Sequence, residues 1–362
     1  MDFQIDPDIR AAAGPPASLY CDPRAFDLQV ERVLARSWHA LPDAARASAP
    51  GSVVPTTLLP GTLDEPLIVS RDLEGDLHAF SNVCTHRGAL LVEGATQASA
   101  SAIRCRYHGR RFGLDGRFLS MPGFEDACDF PSASDDLPSV PLEAWGPLTF
   151  TSLAPAFSFE EWTAPLRLRL DWLGFGALRF DADASRDYEL AAHWALYCDN
   201  YLEGLHVPYV HPSLNGTLDL ASYRTELHDW ASIQVAAAAE GEVAFDLPAG
   251  HPDEGQRIAA YYAFLFPTTM LNFYPWGISV NLVLPLAPDR TRVRFLSFVR
   301  DASLREMGAG GPLHEVELED ESVVASVQRG LHARLRGRGR YAPRHEQGLH
   351  HFHRLLAQLL RG

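Results

Sequence analysis

At 362 residues, with 46% hydrophobic and 21% charged side chains, the chain is long enough for two domains with substantial cores. Its 31 basic and 46 acidic residues give a net charge of −15, which leaves a nucleic-acid role without electrostatic support and suits a cationic ligand or a basic partner. No run of about 18 apolar residues is present, and the acidic start at residues 1–6 lacks a signal-peptide pattern, so no membrane span and a cytoplasmic location are expected.

In chain order, Phe26, Val30, Val33, Leu34 and Trp38 recur at intervals of three and four, which predicts an amphipathic helix packing on a later domain. From about 38 to 153 the texture changes to short β-like runs at 53–59, 67–70, 77–80, 103–107 and 117–120. Asp115-Gly116, between Phe112-Gly113-Leu114 and Arg117-Phe118-Leu119, is a hairpin turn signal within this small all-β domain. After Pro155 helical character is expected over 188–209, then strands at 223–236, 257–272, 277–285 and 291–300. Residues 307–312 read as a flexible connector, 316–336 as a helix (Val316, Val323, Val324, Val327, Leu331, Leu335), and 346–360 as a final helix. The class is α+β, with an antiparallel sheet and long helices in the second domain. Cys21, Cys84, Cys105, Cys128 and Cys198 are odd in number and irregular in spacing, which favours metal ligands or buried thiols over disulfides, with Cys128 and Cys198 read as buried. His345, His350, His351 and His353 read as solvent-facing, and the arginines at 334, 336, 338 and 340 as a solvated face or a subunit contact.

Two constellations carry chemistry. In the β domain, Cys84-Thr85-His86 precedes Cys105-Arg106-Tyr107-His108, with 18 residues between His86 and Cys105. A Cys₂His₂ zinc site is one reading, although zinc fingers usually pair like with like in a compact unit. Two Cys-His loops in a β domain fit instead a Rieske [2Fe–2S] centre, with Cys84 and Cys105 on the inner iron and His86 and His108 on the outer. Gly88 and Gly109 would let the backbone wrap near the sulfides. Further on, the stretch Asn200-Tyr-Leu-Glu-Gly-Leu-His-Val-Pro-Tyr-Val-His211 offers two imidazoles, and Glu203 three residues before the first. Two histidines and a distant carboxylate make the facial triad of mononuclear Fe(II). On an unbroken helix His206 and His211 would diverge by roughly 140°. Pro208 is expected to break or bulge the helix and swing His211 round. Two unrelated histidines at a helix end is the plainer reading of this stretch alone.

Together the constellations resemble the Rieske non-haem iron oxygenases over essentially the whole chain. The resemblance implies an N-terminal segment (1–37) packing on the catalytic domain, a Rieske domain (38–153) and a helix-grip catalytic domain (154–362). It implies that His206 and His211 bind the mononuclear iron and that Glu203, with Asn200 in the same motif, carries electrons from a Rieske histidine of the neighbouring subunit in a homotrimer. The third ligand, an aspartate in the C-terminal helical region, matches Asp320. Taken alone, Asp320 reads as a helix N-terminal carboxylate, and Glu319 and Glu321 flank it.

Within the family, residues 198–211, 266–276 and 281–286 resemble the branch of choline, betaine and carnitine oxygenases. The gap from His86 to Cys105 is slightly longer than usual, which a surface loop at 95–102 would absorb. Glu203 stands where many ring-hydroxylating members carry Asp, which leans toward the quaternary-ammonium branch. The implied reaction uses O₂ to hydroxylate a C–H bond next to nitrogen, or the carbinol carbon of choline. A trimethylammonium group suits aromatic walls, for which Tyr197, Tyr201, Phe264 and Trp276 are candidates, with Trp194, Tyr209, Phe273 and Tyr274 behind them. No Gly-x-Gly-x-x-Gly pattern is present, so NAD(P)H would act only through a separate flavin or iron–sulfur reductase. Rival readings are an aromatic-ring hydroxylating dioxygenase alpha subunit, an electron-transfer protein with only the Rieske centre, and a zinc-stabilised module.

Overall fold

A computed structural model of the chain describes residues 3–94, 100–311 and 313–361. The backbone divides into two units, one running from Trp38 to Pro155 and the other combining the chain up to Ser37 with everything from Ala156 onward.

The first unit holds three small antiparallel sheets. Strands β1 (His39–Ala40), β8 (Leu142–Trp145) and β9 (Leu148–Thr151) form one, in the order β1-β9-β8; β2 (Val53–Leu58), β3 (Glu65–Arg71) and β4 (Leu77–Ser81) form another, with β3 central and buried over Leu67–Ser70. The third contains β5 (Ile103–Arg104), β6 (Arg111–Phe112) and β7 (Phe118–Ser120), with Asp115-Gly116 in the β6–β7 connection. Val53, Ile68, Phe80, Ile103 and Phe112 make a core into which Cys84 and Cys105 are also packed. Of the loop expected at 95–102, residues 95–99 lie outside the described residues.

The second unit is built on a seven-stranded antiparallel sheet. Its strands are β10 (Arg179–Leu190), β11 (Leu218–Leu227), β12 (Ala231–Ala238), β13 (Ile258–Leu265), β14 (Thr269–Tyr274), β15 (Gly277–Ala287) and β16 (Arg290–Val299). The order β10-β16-β15-β14-β13-β12-β11 puts β14 in the middle, and all six of its residues are buried. The runs expected at 223–236 and 257–272 are each hairpins rather than single strands, turning at His228-Asp229-Trp230 and at Phe266-Pro267-Thr268. Residues 188–190, expected to be helical, end edge strand β10 instead; the helix begins at Trp194, capped by the His193 side chain, and stops at Tyr201.

The N-terminal helix is Pro23–Arg32, its first turn set by Asp22 as cap and Pro23 as opener. Gln29, fully buried, accepts from the Trp194 indole at 2.9 Å and donates to the Leu19 carbonyl, which fixes this segment to the second unit. The late helices span Leu313–Leu331 and Gln347–Arg361. The first ends at Leu331 rather than at 336, so Leu335, assigned above to its apolar face, lies beyond the helix and is exposed, as is Val327 within it; the buried stripe is Glu317, Val324, Gln328 and Leu331. Its two polar members have partners of their own: Glu317 faces the site described below, and Gln328 accepts from the His193 amide at 2.8 Å. Residues 308–310 of the expected connector form a single 3-10 turn, and residue 312 lies outside the described residues.

Three histidines of the last helix are not solvent-facing. His350 bonds the Asp6 carbonyl, His351 the His228 carbonyl, and His353 sits between Tyr20, Tyr341 and Asp199 at 2.7–3.0 Å. Backbone carbonyls and hydroxyls of other segments capture their ring nitrogens, which sequence spacing does not reveal. His345 is exposed, Cys198 is buried as expected and Cys128, at the surface, is not.

Candidate metal centres

In the first unit two loops repeat one design. The Cys84 amide donates to the Ala89 carbonyl and the Gly88 amide to the Cys84 carbonyl; the Cys105 amide donates to the Arg110 carbonyl and the Gly109 amide to the Cys105 carbonyl. Both closures need positive φ, 73° at Gly88 and 76° at Gly109, which glycine adopts at low cost. The loops bring the His86 and His108 rings to 4.8 Å between centroids, while Cys84 and Cys105 are buried beneath. Burial pushes the Cys84 thiol up, the His86 amide pulls it down, and the adjoining Cys105 thiol raises it again. His86 is held below the usual imidazole range by burial and by His108, Arg87 and Arg110, which favours the neutral, ligating form. Arg110, next to the second loop, is buried and pairs with Asp135 at 2.6 Å, over the Phe118 ring at 4.8 Å. Thr85 of the first loop donates to the Asp135 carbonyl, so one residue braces both loops.

In the second unit the helix Trp194–Tyr201 ends before the histidines are reached. Pro208 therefore breaks no helix interior; it lies in the first turn of a new short segment, Val207–Val210, where its missing N–H costs nothing. His206 precedes that turn and His211 ends it and starts the next, Pro212–Asn215. Gly204 makes the crossing tight, since a Cβ there would meet the Tyr223 ring at 3.0 Å.

The two imidazoles converge on one carboxylate from the helix Leu313–Leu331. His211 Nε2 lies 3.0 Å and His206 Nε2 3.6 Å from Asp320 Oδ1, and one potential ligand atom from each of the three lies within 4.8 Å of the others. On the far side, His206 Nδ1 meets Glu203 Oε1 at 2.6 Å and His211 Nδ1 meets Glu319 Oε2 at 2.7 Å. Carboxylates at Nδ1 fix the tautomer that presents Nε2 to a metal. Asn200 donates to Asp320 Oδ1 at 2.7 Å, and Glu203 also accepts from the Leu205 and His206 amides. Burial disfavours charge on His211, but hydrogen bonds and charge from Asp320 and Glu319 outweigh it, so its pKa is raised.

A cavity of about 110 Å³ opens onto this triad, lined among others by Tyr197, Tyr201, Tyr262, Tyr274, Asn272 and Glu317. A cavity of about 150 Å³ holds benzene, so the space suits a small compact molecule. Glu317 accepts from the Tyr197 hydroxyl at 2.7 Å, and Tyr201 donates to Asn272 at 2.8 Å. Burial pushes the Glu317 carboxyl well up; the Tyr197 hydrogen bond lowers it, and Asp320 and Glu321 raise it further.

Comparison with known proteins identifies both parts. The ring hydroxylating alpha subunit (catalytic domain) family matches residues 177–362, just over half of the 362-residue chain, and the Rieske [2Fe-2S] domain family matches residues 50–141. Chloroplastic choline monooxygenase of Arabidopsis thaliana is 33% identical, covering 98% of this chain and 85% of its own length. The carnitine monooxygenase oxygenase subunit of Escherichia coli K12 is 28% identical over 96% of this chain and 93% of its own. The chain belongs to the Rieske non-haem iron oxygenases.

Its fold agrees with the solved structure of a quaternary ammonium Rieske monooxygenase that informs carnitine oxidation and inter-subunit electron transfer, with TM-score 0.78, 22% identity, and 99% and 100% of the two chains covered. As a Rieske oxygenase the chain is an oxidoreductase that uses O₂, with a [2Fe–2S] cluster in the first unit and a mononuclear iron in the second. The donors suit those groups: two thiols and two imidazoles for the cluster, two imidazoles and a carboxylate for the iron. No helix among the described residues is long and apolar enough to cross a membrane.

Of the four aromatic wall candidates, Tyr197 and Tyr201 line the cavity; Phe264 and Trp276 do not. Phe264 packs edge-on against Phe352 of the last helix, 5.6 Å between centroids. Trp276 stacks on Tyr274 at 5.4 Å and lines a neighbouring cavity with Arg305 and His314. Both residues sit on strands or at strand ends whose side chains alternate between faces, and sequence does not tell which face meets the site. Sequence reasoning missed Glu317, and it took Glu319 only as a residue to be mistaken for Asp320. One signal was available: on the helix carrying Asp320, positions 317, 320, 324, 328 and 331 form one stripe at three- and four-residue spacing.

Proposed function

We propose that this Rieske oxygenase hydroxylates a C–H bond next to nitrogen in a small quaternary ammonium compound such as choline, glycine betaine or carnitine. The observation that carries the reading is the cavity at His206, His211 and Asp320: tyrosines and carboxylates line it and, among the described residues, no arginine does. A trimethylammonium group has no proton to donate, and aromatic faces attract its charge. Relatives named for choline and carnitine support the same substrate class.

In this reading Cys84, His86, Cys105 and His108 hold the cluster, and His206, His211 and Asp320 hold the mononuclear iron. The iron supplies the centre at which O₂ is reduced. Glu203 and Glu319 retain the Nδ1 protons of the two imidazoles, Asn200 holds Asp320 Oδ1 in place, and the tyrosine walls exclude bulk water from the substrate. The balance is O₂, two electrons and two protons for one hydroxylated product and one water. An N-methyl group hydroxylated in this way leaves as formaldehyde; the carbinol carbon of choline becomes an aldehyde hydrate.

A separate flavin or iron–sulfur reductase delivers the electrons, a reading supported by a relative named as an oxygenase subunit. In a homotrimer Glu203, already bonded to His206, would bridge to a Rieske histidine of a neighbouring subunit and so provide the electron path between cluster and mononuclear iron. Five cysteines without a disulfide fit a reducing, cytoplasmic setting.

The test is a single turnover: reduce the protein chemically, admit O₂, and assay choline, glycine betaine, carnitine and a set of aromatic acids. An aldehyde or a demethylated amine from a quaternary amine is expected. Oxidation of an aromatic compound alone overturns the substrate class. Asp320→Ala is expected to keep the Rieske visible spectrum, abolish turnover and lower the iron count from about three to about two per chain. Retained turnover in that variant removes Asp320 from the ligand set.

A further inference from the structure

Among the described residues, three carboxylates line the cavity at the triad: Glu203, Glu317 and Asp320. Two are committed to the metal site, Glu203 through His206 and Asp320 through both imidazoles and Asn200. Glu317 is different. It is 3% exposed, its Oε2 accepts from the Tyr197 hydroxyl at 2.7 Å, and among the described residues its Oε1 has no hydrogen-bond partner. The Tyr197 hydroxyl is itself held by Asn281 Nδ2 at 3.3 Å, so the arrangement is anchored from β15 as well as from the helix Trp194–Tyr201. A buried carboxyl oxygen left without a donor is costly, and a ligand bound in the adjoining cavity is one means of offsetting that cost.

The ligand that would supply it is constrained by the neighbourhood. Among the described residues no arginine lines the cavity, and Tyr197, Tyr201, Tyr262 and Tyr274 form much of its wall. A group that donated hydrogen bonds would satisfy Glu317, but so would a cation without N–H groups, whose polarised methyls rest against both the carboxylate and the tyrosines. We infer that Glu317 is the specificity-determining anion of this oxygenase, pairing with the charged nitrogen of the substrate while Tyr197 fixes the direction of its carboxylate. This rests on the quaternary-ammonium reading above and deepens it, because it assigns recognition of the charge to one residue separate from the residues that hold iron. Burial raises the Glu317 pKa in the cavity without substrate, and an arriving cation draws the group to its ionised form. The aromatic wall alone would attract a cation and a neutral compound of the same shape with a small difference, whereas a buried carboxylate separates them strongly.

The experiment compares ligands that differ only in charge. Binding of choline and of 3,3-dimethylbutan-1-ol, and of (3-hydroxypropyl)trimethylammonium and of 4,4-dimethylpentan-1-ol, is measured by calorimetry on the iron-loaded enzyme and on the variants Glu317→Gln and Glu317→Asp. Wild type is expected to prefer the cation by at least about tenfold within a pair. Glu317→Gln, which keeps the shape, is expected to erase most of that preference while leaving the neutral partner's affinity within about twofold. Glu317→Asp, which keeps the charge, should restore part of it. An unaltered far-ultraviolet circular dichroism spectrum and an iron count of about three per chain in each variant check that the catalytic unit survives. A preference that persists in Glu317→Gln overturns the assignment, as does an equal loss for both members of a pair, which marks a merely structural role. Binding of no quaternary ammonium compound by wild type is a distinct result: it overturns the functional reading, and the cation site with it.

Discussion

Each imidazole of the His206–His211 pair is tied at Nδ1 to a carboxylate, but the two ties differ in kind. Glu203 belongs to the same turn as His206, three residues away, and its second oxygen is occupied by the Leu205 and His206 amides. Glu319 reaches His211 from a helix 108 residues on, with no such local anchoring among the described residues. Among the described residues its hydrogen-bond partner is the imidazole alone, so it acts on the ring and on little else. Glu319→Ala leaves His211 in place, since the ring is 1% exposed and packed, but frees it to choose the other tautomer. Loss of such a partner costs 10–100-fold in metal affinity or activity in comparable sites. The expected outcome is a fall of that size in iron affinity, with Glu319→Gln nearer wild type because an amide oxygen still accepts from Nδ1. Iron retention measured during dialysis against a chelator decides it; equal retention in wild type and Glu319→Ala removes the orienting role.

At the scale of elements, the Rieske loops are held by a buried guanidinium. Arg110 faces Asp135 at 2.6 Å and lies against Phe112, Phe118 and Phe130, so its removal withdraws a charge, a stack and the brace that Thr85 shares. Breaking a buried pair costs about 3–5 kcal/mol, and since Asp135 is 18% exposed and can be resolvated, Arg110→Met should cost about 3 kcal/mol. Thermal bleaching of the visible cluster absorption should then begin several degrees earlier; an unshifted bleaching curve denies the brace. These loops were legible in sequence because each is a contiguous stretch whose hydrogen bonds close within five residues. The histidine pair was legible for the same reason, although Pro208 opens a turn where a broken helix was expected. Glu317 and Glu319 were not, because only the packing of the helix Leu313–Leu331 against Tyr197 and His211 gives them a partner. Edge strand β10 was missed because its sequence, Arg-Phe-Asp-Ala-Asp-Ala-Ser-Arg-Asp-Tyr-Glu-Leu, is polar and mostly solvated, with Asp and Ala poorly suited to strands. Its pairing to β16 is supplied by cross-strand partners such as Asp187–Arg294 at 3.0 Å and Glu189–Arg292 at 2.5 Å.

For the whole molecule, the net charge of −15 sets a field that a cationic substrate meets before it reaches the cavity. All 31 basic residues are arginines, whose charge persists throughout the working pH range, so the field is best varied by salt at fixed pH. At 0.1 M ionic strength charges more than about 10 Å apart are largely screened, and at 0.01 M the reach is about 30 Å. Raising KCl from 0.01 to 0.5 M should therefore lower kcat/KM for a quaternary ammonium substrate several-fold, through the long-range part of the attraction. The short-range part survives, because Glu317 is buried and poorly screened. The two contributions separate on one graph: for wild type, kcat/KM falls with salt to a plateau that still exceeds the value for the neutral isostere, and for Glu317→Gln the slope remains while the plateau drops. A neutral isostere should show no slope in either protein. If wild type shows none for the cation, the acidic surface plays no part in substrate capture, and the −15 serves solubility or the docking of a basic reductase, whose own salt dependence then becomes the measurement of interest.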